Sequence, residues 1–267
     1  MQITTFANCK GGVSKTTTCN VLATGLANSV NNRHKKFRCL VIDLDPQSNE
    51  TFSAGVDPLS CENTIYDVFK GESNINDVIK KSPLGFDLCP GGLGLSGADM
   101  EFAQIGREKM LDRAVSELDD NYDFVLIDTP PTLGLLTTNA LCCVSGAEKT
   151  ALIIPMSADI YSLQGLSQIG GFVENVRRYG NPQLIIDGLL ITKYNARQNL
   201  TKALEDEIEK AAEELGTKIY NSKIRESVAI REAALMQSNV FTELPKSNNA
   251  VVDYKNFIEE FLGDHHE

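Results

Sequence analysis

Short apolar runs recur along the chain, at residues 3–7 (ITTFA), 39–43 (CLVID), 86–90 (FDLCP), 124–128 (FVLID), 151–155 (ALIIP) and 184–192 (LIIDGLLIT). Most are continuously apolar, with no alternation of period two. Strands covered on both faces of a parallel sheet read this way. Between the runs, apolar residues return at helical spacing: after Lys15, the positions Val21, Leu22, Gly25, Leu26 and Val30 fall on one face. Further helices are expected over 98–119, 133–145, 162–179, 199–215, 227–237 and 248–262. The 199–215 stretch carries Glu205, Glu209, Lys210 and Glu213, a solvated face. Strand alternating with helix predicts an α/β fold: a doubly wound, mostly parallel sheet flanked by helices. No internal repeat or linker-like break intervenes, so 1–267 is expected to form a single domain.

Composition narrows the class. The chain is 42% hydrophobic and 23% charged, ordinary values for a globular protein. Its first residues lack the basic and apolar regions of a leader, because Asn8, Lys10 and Ser14 interrupt any apolar run. No stretch approaches the ~18 apolar residues of a membrane span. Seven cysteines, with no C-x-x-C pair, argue against a disulfide framework or a zinc site. Cys142 and Cys143 sit in an apolar helical pattern and read as core. A reduced, cytoplasmic protein is expected.

The net charge of −11 argues against a uniformly basic nucleic-acid-binding surface. The charge is uneven, however. Residues 1–40 hold six basic residues and no acidic one, and residues 177–231 hold 10 basic against 8 acidic. A local basic face is compatible with an acidic chain.

The candidate chemistry begins at "CKGGVSKTT", residues 9–17. It has the setting of a phosphate-binding loop, between a strand and a helix, but departs from G-x-x-x-x-G-K-[ST]. The glycines stand at Gly11 and Gly12, behind an additional lysine, Lys10. Backbone N–H groups from Lys10 through Gly11, Gly12, Val13, Ser14, Lys15 and Thr16 can wrap an anion, aided by the positive end of the following helix. Lys15 would reach the β- and γ-phosphates, and the Thr16 hydroxyl would coordinate Mg²⁺. Alone, the motif is equally a lysine-bearing turn. Two more pieces accompany it. "FVLIDTPP" (124–131) is a buried strand ending in Asp128, placed for the metal beside such a loop. "VIDLDPQSNET" (41–51) ends a strand in Asp43 and Asp45, within reach of the metal shell and the attacking water. Taken singly, each is a capping aspartate or a solvated turn.

K-G-G-x-x-K-[ST] resembles the deviant Walker A motif of the ParA/MinD superfamily of P-loop ATPases. The likeness to the ParA/Soj partition branch runs almost end to end, through "FVLIDTPPTLGLLTTNAL", "IIPMSADIYSLQGLSQI", "LLITKYNARQNL", "IRESVAIREAA" and "LPKSNNAVVDYKNFIEEF". The resemblance implies ATP and Mg²⁺ as ligands and a homodimer in the ATP state. It makes Lys10 the signature lysine that reaches the partner subunit's nucleotide, as an arginine finger does. Asp45 becomes the switch aspartate that positions water, Asp43 a support of the metal shell, and Asp128 the Walker B aspartate. Thr17 joins the phosphate-binding set, and Thr192 and Arg225 line the adenine pocket. Implied partners are non-specific DNA and a ParB-like centromere-binding protein, with nucleoid association when ATP is bound and no separate N-terminal DNA-binding domain. Arg197 matches a DNA-contacting position. A second such position falls on Ala229, leaving the flanking Arg225 and Arg231 to substitute; surface pairing with Glu226 and Glu232 is the plainer alternative.

Two rival functions are open to a chain of this kind. A MinD-like membrane-cycling ATPase needs a basic amphipathic C-terminal helix, whereas "YKNFIEEFLGDHHE" is acidic. An adaptor that binds nucleotide with negligible hydrolysis would not need Lys10, Lys15, Asp45 and Asp128 together. The three histidines, His34, His265 and His266, lie in polar stretches, so no strong general base is expected and intrinsic hydrolysis should be slow and partner-stimulated. Cys9, beside Lys10, reads as a small residue filling a tight spot, with redox sensitivity as the alternative. Ser14 stands where many relatives carry glycine and is expected to have a negative φ.

Overall fold

The structure is a computed structural model, and it describes residues 1–30, 34–119, 121–195 and 202–263. The strands are β1 (Gln2–Phe6), β2 (Cys39–Asp43), β3 (Lys80–Lys81), β4 (Asp87–Cys89), β5 (Phe124–Asp128), β6 (Lys149–Ser157) and β7 (Ile185–Thr192). They form one seven-stranded sheet in the order β3-β4-β2-β5-β1-β6-β7, parallel throughout except for β3 against β4. The chain leaves β1 toward β2 on one side and later reaches β6 on the other. Such a reversal opens a crevice at the carboxyl ends of the strands.

Alternate residues of the central strands serve opposite faces, which explains their unbroken apolarity. Val41, Leu126 and Ile153 pack with Leu22, Leu26, Tyr254, Phe257 and Phe261, from the helices Lys15–Ala27 and Asn249–Gly263. Leu40, Ile42, Val125 and Ile127 pack on the other face with Leu111, Val115, Leu136 and Ala140. A third cluster joins Leu152 and Ile154 to Leu166, Ile169 and Val173 of the helix Ile160–Tyr179. The apolar face of the C-terminal helix is thus spent in the core. Cys142 and Cys143 are buried, as their pattern implied.

One expected helix is interrupted, and four short helices escape the sequence pattern. The helix foreseen over 98–119 is broken into Ala98–Glu101, a 3-10 turn Arg107–Lys109 and Met110–Ser116. Gly106 takes φ 78, a left-handed conformation that interrupts any helix. Short helices at Asn49–Ser53, Ile65–Lys70, Ile75–Val78 and Val240–Glu243 are too brief to display a period.

Candidate functional site

Three strands end in one row. Phe6 is the register partner of Asp128, and Asp128 that of Asp43. The loop after β1, the aspartate ending β5 and the acidic turn after β2 therefore converge at one edge of the sheet.

The loop is tied down on several sides. Asn8 Nδ2 donates to Pro155 O at 2.8 Å, and Lys10 N–H donates to Asn8 Oδ1 at 3.0 Å. Thr192 Oγ1 donates to Val13 O at 3.0 Å. Gly12 has φ 74 and Ser14 has φ 66. Positive values flanking Val13 produce the alternation that turns successive N–H groups to one side, an anion-binding concavity. The negative φ expected for Ser14 is therefore wrong. Ser14 sits left-handed at the helix N-cap with no side-chain cap, while its carbonyl accepts the first helical bond from Thr18 at 2.9 Å. The loop needs that turn to enter the helix, and a residue with a Cβ makes it at a cost of ~1–2 kcal/mol.

Lys15 is buried, and its ammonium donates to the carbonyls of Asn8 at 3.3 Å and Lys10 at 3.4 Å. Burial lowers its pKa from 10.5, although Asp128 and Asp45 pull the other way. Thr16 Oγ1 donates to Asp128 Oδ2 at 2.7 Å. Asp128 is fully buried, and its other oxygen, Oδ1, has no hydrogen-bond partner among the described residues. Burial, and then Asp43, push this carboxyl well above its ordinary range, against Thr16 and Lys15. A buried carboxylate oxygen without a donor beside a threonine hydroxyl suits a hard divalent cation. Among the described residues no cluster of three or more His, Cys, Asp or Glu side chains could hold a metal alone. Mg²⁺ takes one or two carboxylates and completes its shell with phosphate and water.

Asp45 and Asp43 part company. Asp45 lines the cleft beside Lys15 and Thr16, and its Oδ1 accepts from Gln47 N–H at 2.9 Å. Asp43 is fully buried and outside the cleft lining. Its Oδ1 accepts from Asp45 N–H at 3.0 Å, and its Oδ2 from Thr51 N–H and Oγ1 at 2.8 and 2.7 Å. Burial pushes its carboxyl up to about 6 despite those bonds. Asp43, expected in the metal set as a support of the metal shell, braces through these bonds the turn that carries Asp45.

The cleft has a volume of about 660 Å³. Gly11, Gly12, Lys15, Thr16 and Thr17 form one wall, and Phe52, Ile224 and Leu235 contribute apolar surface. Thr192, expected at the adenine, is fully buried beneath the loop and acts by holding Val13. Arg225 reaches the cleft, but its guanidinium is engaged by Asp253, with Nη2–Oδ1 at 2.6 Å and Nε–Oδ2 at 2.8 Å. Arg231 also lines the cleft and stands 3.9 Å from Glu226; the surface pairing weighed for it is present. Arg197, His265 and His266 lie outside the described residues. Lys10 Nζ pairs with Asp159 within its own chain at 2.8 Å. Cys9 Sγ donates to Gly165 O at 3.8 Å.

Three residues of interest carried no pattern in the sequence: Asp159, Lys193 and Glu50. Glu50 is fully buried, its Oε1 accepting from Asn20 Nδ2 at 3.1 Å and its Oε2 without a partner among the described residues. It lay within a polar stretch that reads as a solvated turn.

A parallel sheet with a glycine-rich loop, a buried lysine and a strand-ending aspartate at its carboxyl edge defines a P-loop nucleoside triphosphatase. The sequence pattern of the AAA domain family matches residues 1–186. The sporulation initiation inhibitor protein Soj of Bacillus subtilis is 34% identical over 253 residues, covering 94% of each chain. The chromosome partitioning protein ParA of Caulobacter vibrioides is 34% identical over 237 residues, 87% of this chain and 84% of that one. A crystal structure of cobyrinic acid a,c-diamide synthase from Mycobacterium smegmatis with bound ADP and magnesium aligns with TM-score 0.75 at 28% identity, over 98% of this chain and 94% of the other. The chain belongs to the AAA domain family and, within it, to the ParA/Soj-type partition ATPases.

Proposed function

We propose that this chain is an ATP-driven partition switch that dimerises on ATP, binds DNA non-specifically and is reset by slow, partner-stimulated hydrolysis. The observation that carries the reading is the unpartnered Asp128 Oδ1, buried beside Thr16 and Lys15 under a loop shaped for an anion. Thr16 and Asp128 would hold Mg²⁺, which when bound neutralises charge on the β- and γ-phosphate oxygens. The loop N–H groups of residues 10–17 cradle the phosphates. Lys15 gives up its two carbonyl acceptors to bond the β- and γ-oxygens. Asp45, braced by Asp43, orients the attacking water. Lys10 completes the partner subunit's site.

Slow turnover follows from what is missing. His34 is exposed, and no histidine lines the cleft among the described residues. With no strong base, the reaction depends on positioning, which a partner can supply. We take that partner to be a ParB-like centromere-binding protein, and the chain to act as one ATPase domain in the cytoplasm, on the nucleoid. Arg231, Arg225 and Arg197 are the candidate phosphate contacts on DNA. Among the described residues no helix is long and apolar enough to cross a membrane. Burial of Tyr254, Phe257, Ile258 and Phe261 commits the main apolar face of the C-terminal helix to the core, which weighs against MinD-like cycling.

The deciding experiment is binding to a random DNA duplex as a function of salt, with ATP, ADP or no nucleotide. Binding only with ATP, falling steeply from 50 to 300 mM salt, is expected. Equal binding in all three states, or none, rules out the switch. Tight ATP binding with zero turnover, with DNA and a ParB-like partner present, identifies an adaptor instead.

A further inference from the structure

Lys193 follows directly on β7 and lines the cleft together with Gly11, Gly12, Lys15, Thr16 and Thr17. Its ammonium lies 3.8 Å from where a Cβ on Gly12 would stand. We propose that Lys193 is a further nucleotide-contacting residue, whose ammonium bonds the polyphosphate of the bound nucleotide from above Gly12. The inference rests on the reading of this cleft as the ATP site.

Its position is fixed from both sides. Thr192 bonds the Val13 carbonyl of the loop itself. Tyr194 N–H donates to Ile224 O at 2.9 Å, and Glu226 N–H donates to Tyr194 O at 3.2 Å. Lys193 is thus the single residue between two tethers. It takes φ 52 there, a left-handed conformation that costs a residue with a Cβ free energy. Strain of this kind held in place by its surroundings is characteristic of sites where a side chain must point in one direction.

The charge at Lys193 is also unspent. Among the cations lining the cleft, Arg225 is engaged by Asp253, and Arg231 stands near Glu226. Lys193 is exposed and makes no ion pair or hydrogen bond among the described residues. A triphosphate entering the cleft meets the N–H cradle and two cations that have no carboxylate partner among the described residues, Lys15 and Lys193. The flexible stem of a lysine suits delivery of a point charge across such a distance. Gly12 contributes through its φ of 74, which turns the loop beneath the ammonium.

The test is calorimetric titration of Mg·ATP and of AMP into wild type, Lys193→Met, Lys193→Arg and Lys193→Gly. Methionine keeps the stem and removes the charge. Glycine suits the left-handed backbone and serves if the methionine variant folds poorly. Lys193→Met and Lys193→Gly are expected to weaken ATP binding three- to tenfold at 50 mM salt. AMP binding should change less, and the ATP deficit should shrink at 500 mM salt. Lys193→Arg should bind nearly as wild type. Unchanged ATP affinity in Lys193→Met or Lys193→Gly at low salt overturns the proposal, as does an equal loss for ATP and AMP, which would place the stem against the nucleoside. Lys15→Ala, run in parallel, separates the two readings. ATP binding that survives Lys15→Ala, or is absent from wild type, removes the ATP-site reading and the role of Lys193 with it.

Discussion

Lys10 and Asp159 form a close ion pair across 149 positions of sequence, with Nζ 2.9 Å from Oδ1 and 2.8 Å from Oδ2. The same carboxylate caps the helix Ile160–Tyr179, accepting from Ser162 N–H at 2.9 Å. Burial raises the Asp159 carboxyl, but the Lys10 and Ser162 hydrogen bonds outweigh it and hold the pKa below its ordinary value. A lysine proposed to serve the neighbouring subunit is therefore occupied at home while the chain is alone.

This pair must open before Lys10 can cross to a partner's phosphates. Both side chains are about one-third exposed, so the pair contributes no more than about 1 kcal/mol. Asp159→Asn keeps the helix cap, since asparagine caps as well as aspartate, while releasing the lysine. ATP-dependent dimerisation should shift to about two- to fivefold lower protein concentration. Light scattering across a dilution series reads this directly. A dimerisation curve superimposable on wild type would show that the pair does not restrain Lys10.

Ser14 stores strain in the loop at φ 66. Ser14→Gly removes that strain at the expense of a more flexible unfolded chain. A net gain of about 0.5–1 kcal/mol is expected, with ATP affinity retained, because the loop binds through backbone N–H groups. Ser14→Val should lose about 1–2 kcal/mol, since a β-branched residue resists the left-handed conformation. Urea melts of the nucleotide-free proteins decide the matter. A destabilised glycine variant would mean that the serine side chain contributes something the strain argument omits.

Glu50 makes the nucleotide-free protein pH-sensitive. Burial, followed by the charges of Asp128 and Asp43, pushes its pKa well above 4.5, with the Asn20 hydrogen bond opposing. A carboxyl with a raised folded-state pKa binds its proton more tightly when folded. Its contribution to stability is complete below about pH 4.5 and is lost as pH rises toward the folded value. Asp43, raised to about 6, acts in the same direction between 3.8 and 6. Glu50→Gln can keep the Asn20 bond and cannot ionise. It should gain about 1–3 kcal/mol at pH 8 relative to wild type and much less at pH 5. Melting curves at the two pH values test the sign, and an equal effect at both would refute it.

The sheet was legible because each central strand is buried on both faces and so reads as an unbroken apolar run. Strand β3 was not, because Lys80 and Lys81 are exposed and bond only an edge. The phosphate loop was legible from Gly11, Gly12, Lys15 and Thr16, whose spacing follows from local geometry. The conformation of Ser14 was not, because it answers to the junction of loop and helix. Asp43 and Asp45 look equivalent in "DLD" and both are buried, yet Asp43 is spent on the Asp45 and Thr51 N–H groups while Asp45 lines the cleft. Lys193 and Asp159 acquire their positions only when segments far apart in sequence meet.

Asp45 offers the sharpest separation of binding from hydrolysis. It lines the cleft, its Oδ1 accepts from Gln47 N–H, and its own N–H donates to Asp43. Removing the carboxylate leaves the N–H cradle, Lys15 and the Thr16–Asp128 pair in place, so ATP should still bind within about threefold of wild type. Water would lose its orienting acceptor, and turnover should fall by about a hundredfold or more. Asp45→Ala should therefore accumulate as an ATP-bound dimer, retained on DNA long after the wild type has dissociated. Single-turnover hydrolysis with labelled ATP, together with light scattering of the same sample, checks both halves. Wild-type turnover in this variant would remove Asp45 from the reaction. Lost ATP binding would instead make it a nucleotide-binding residue.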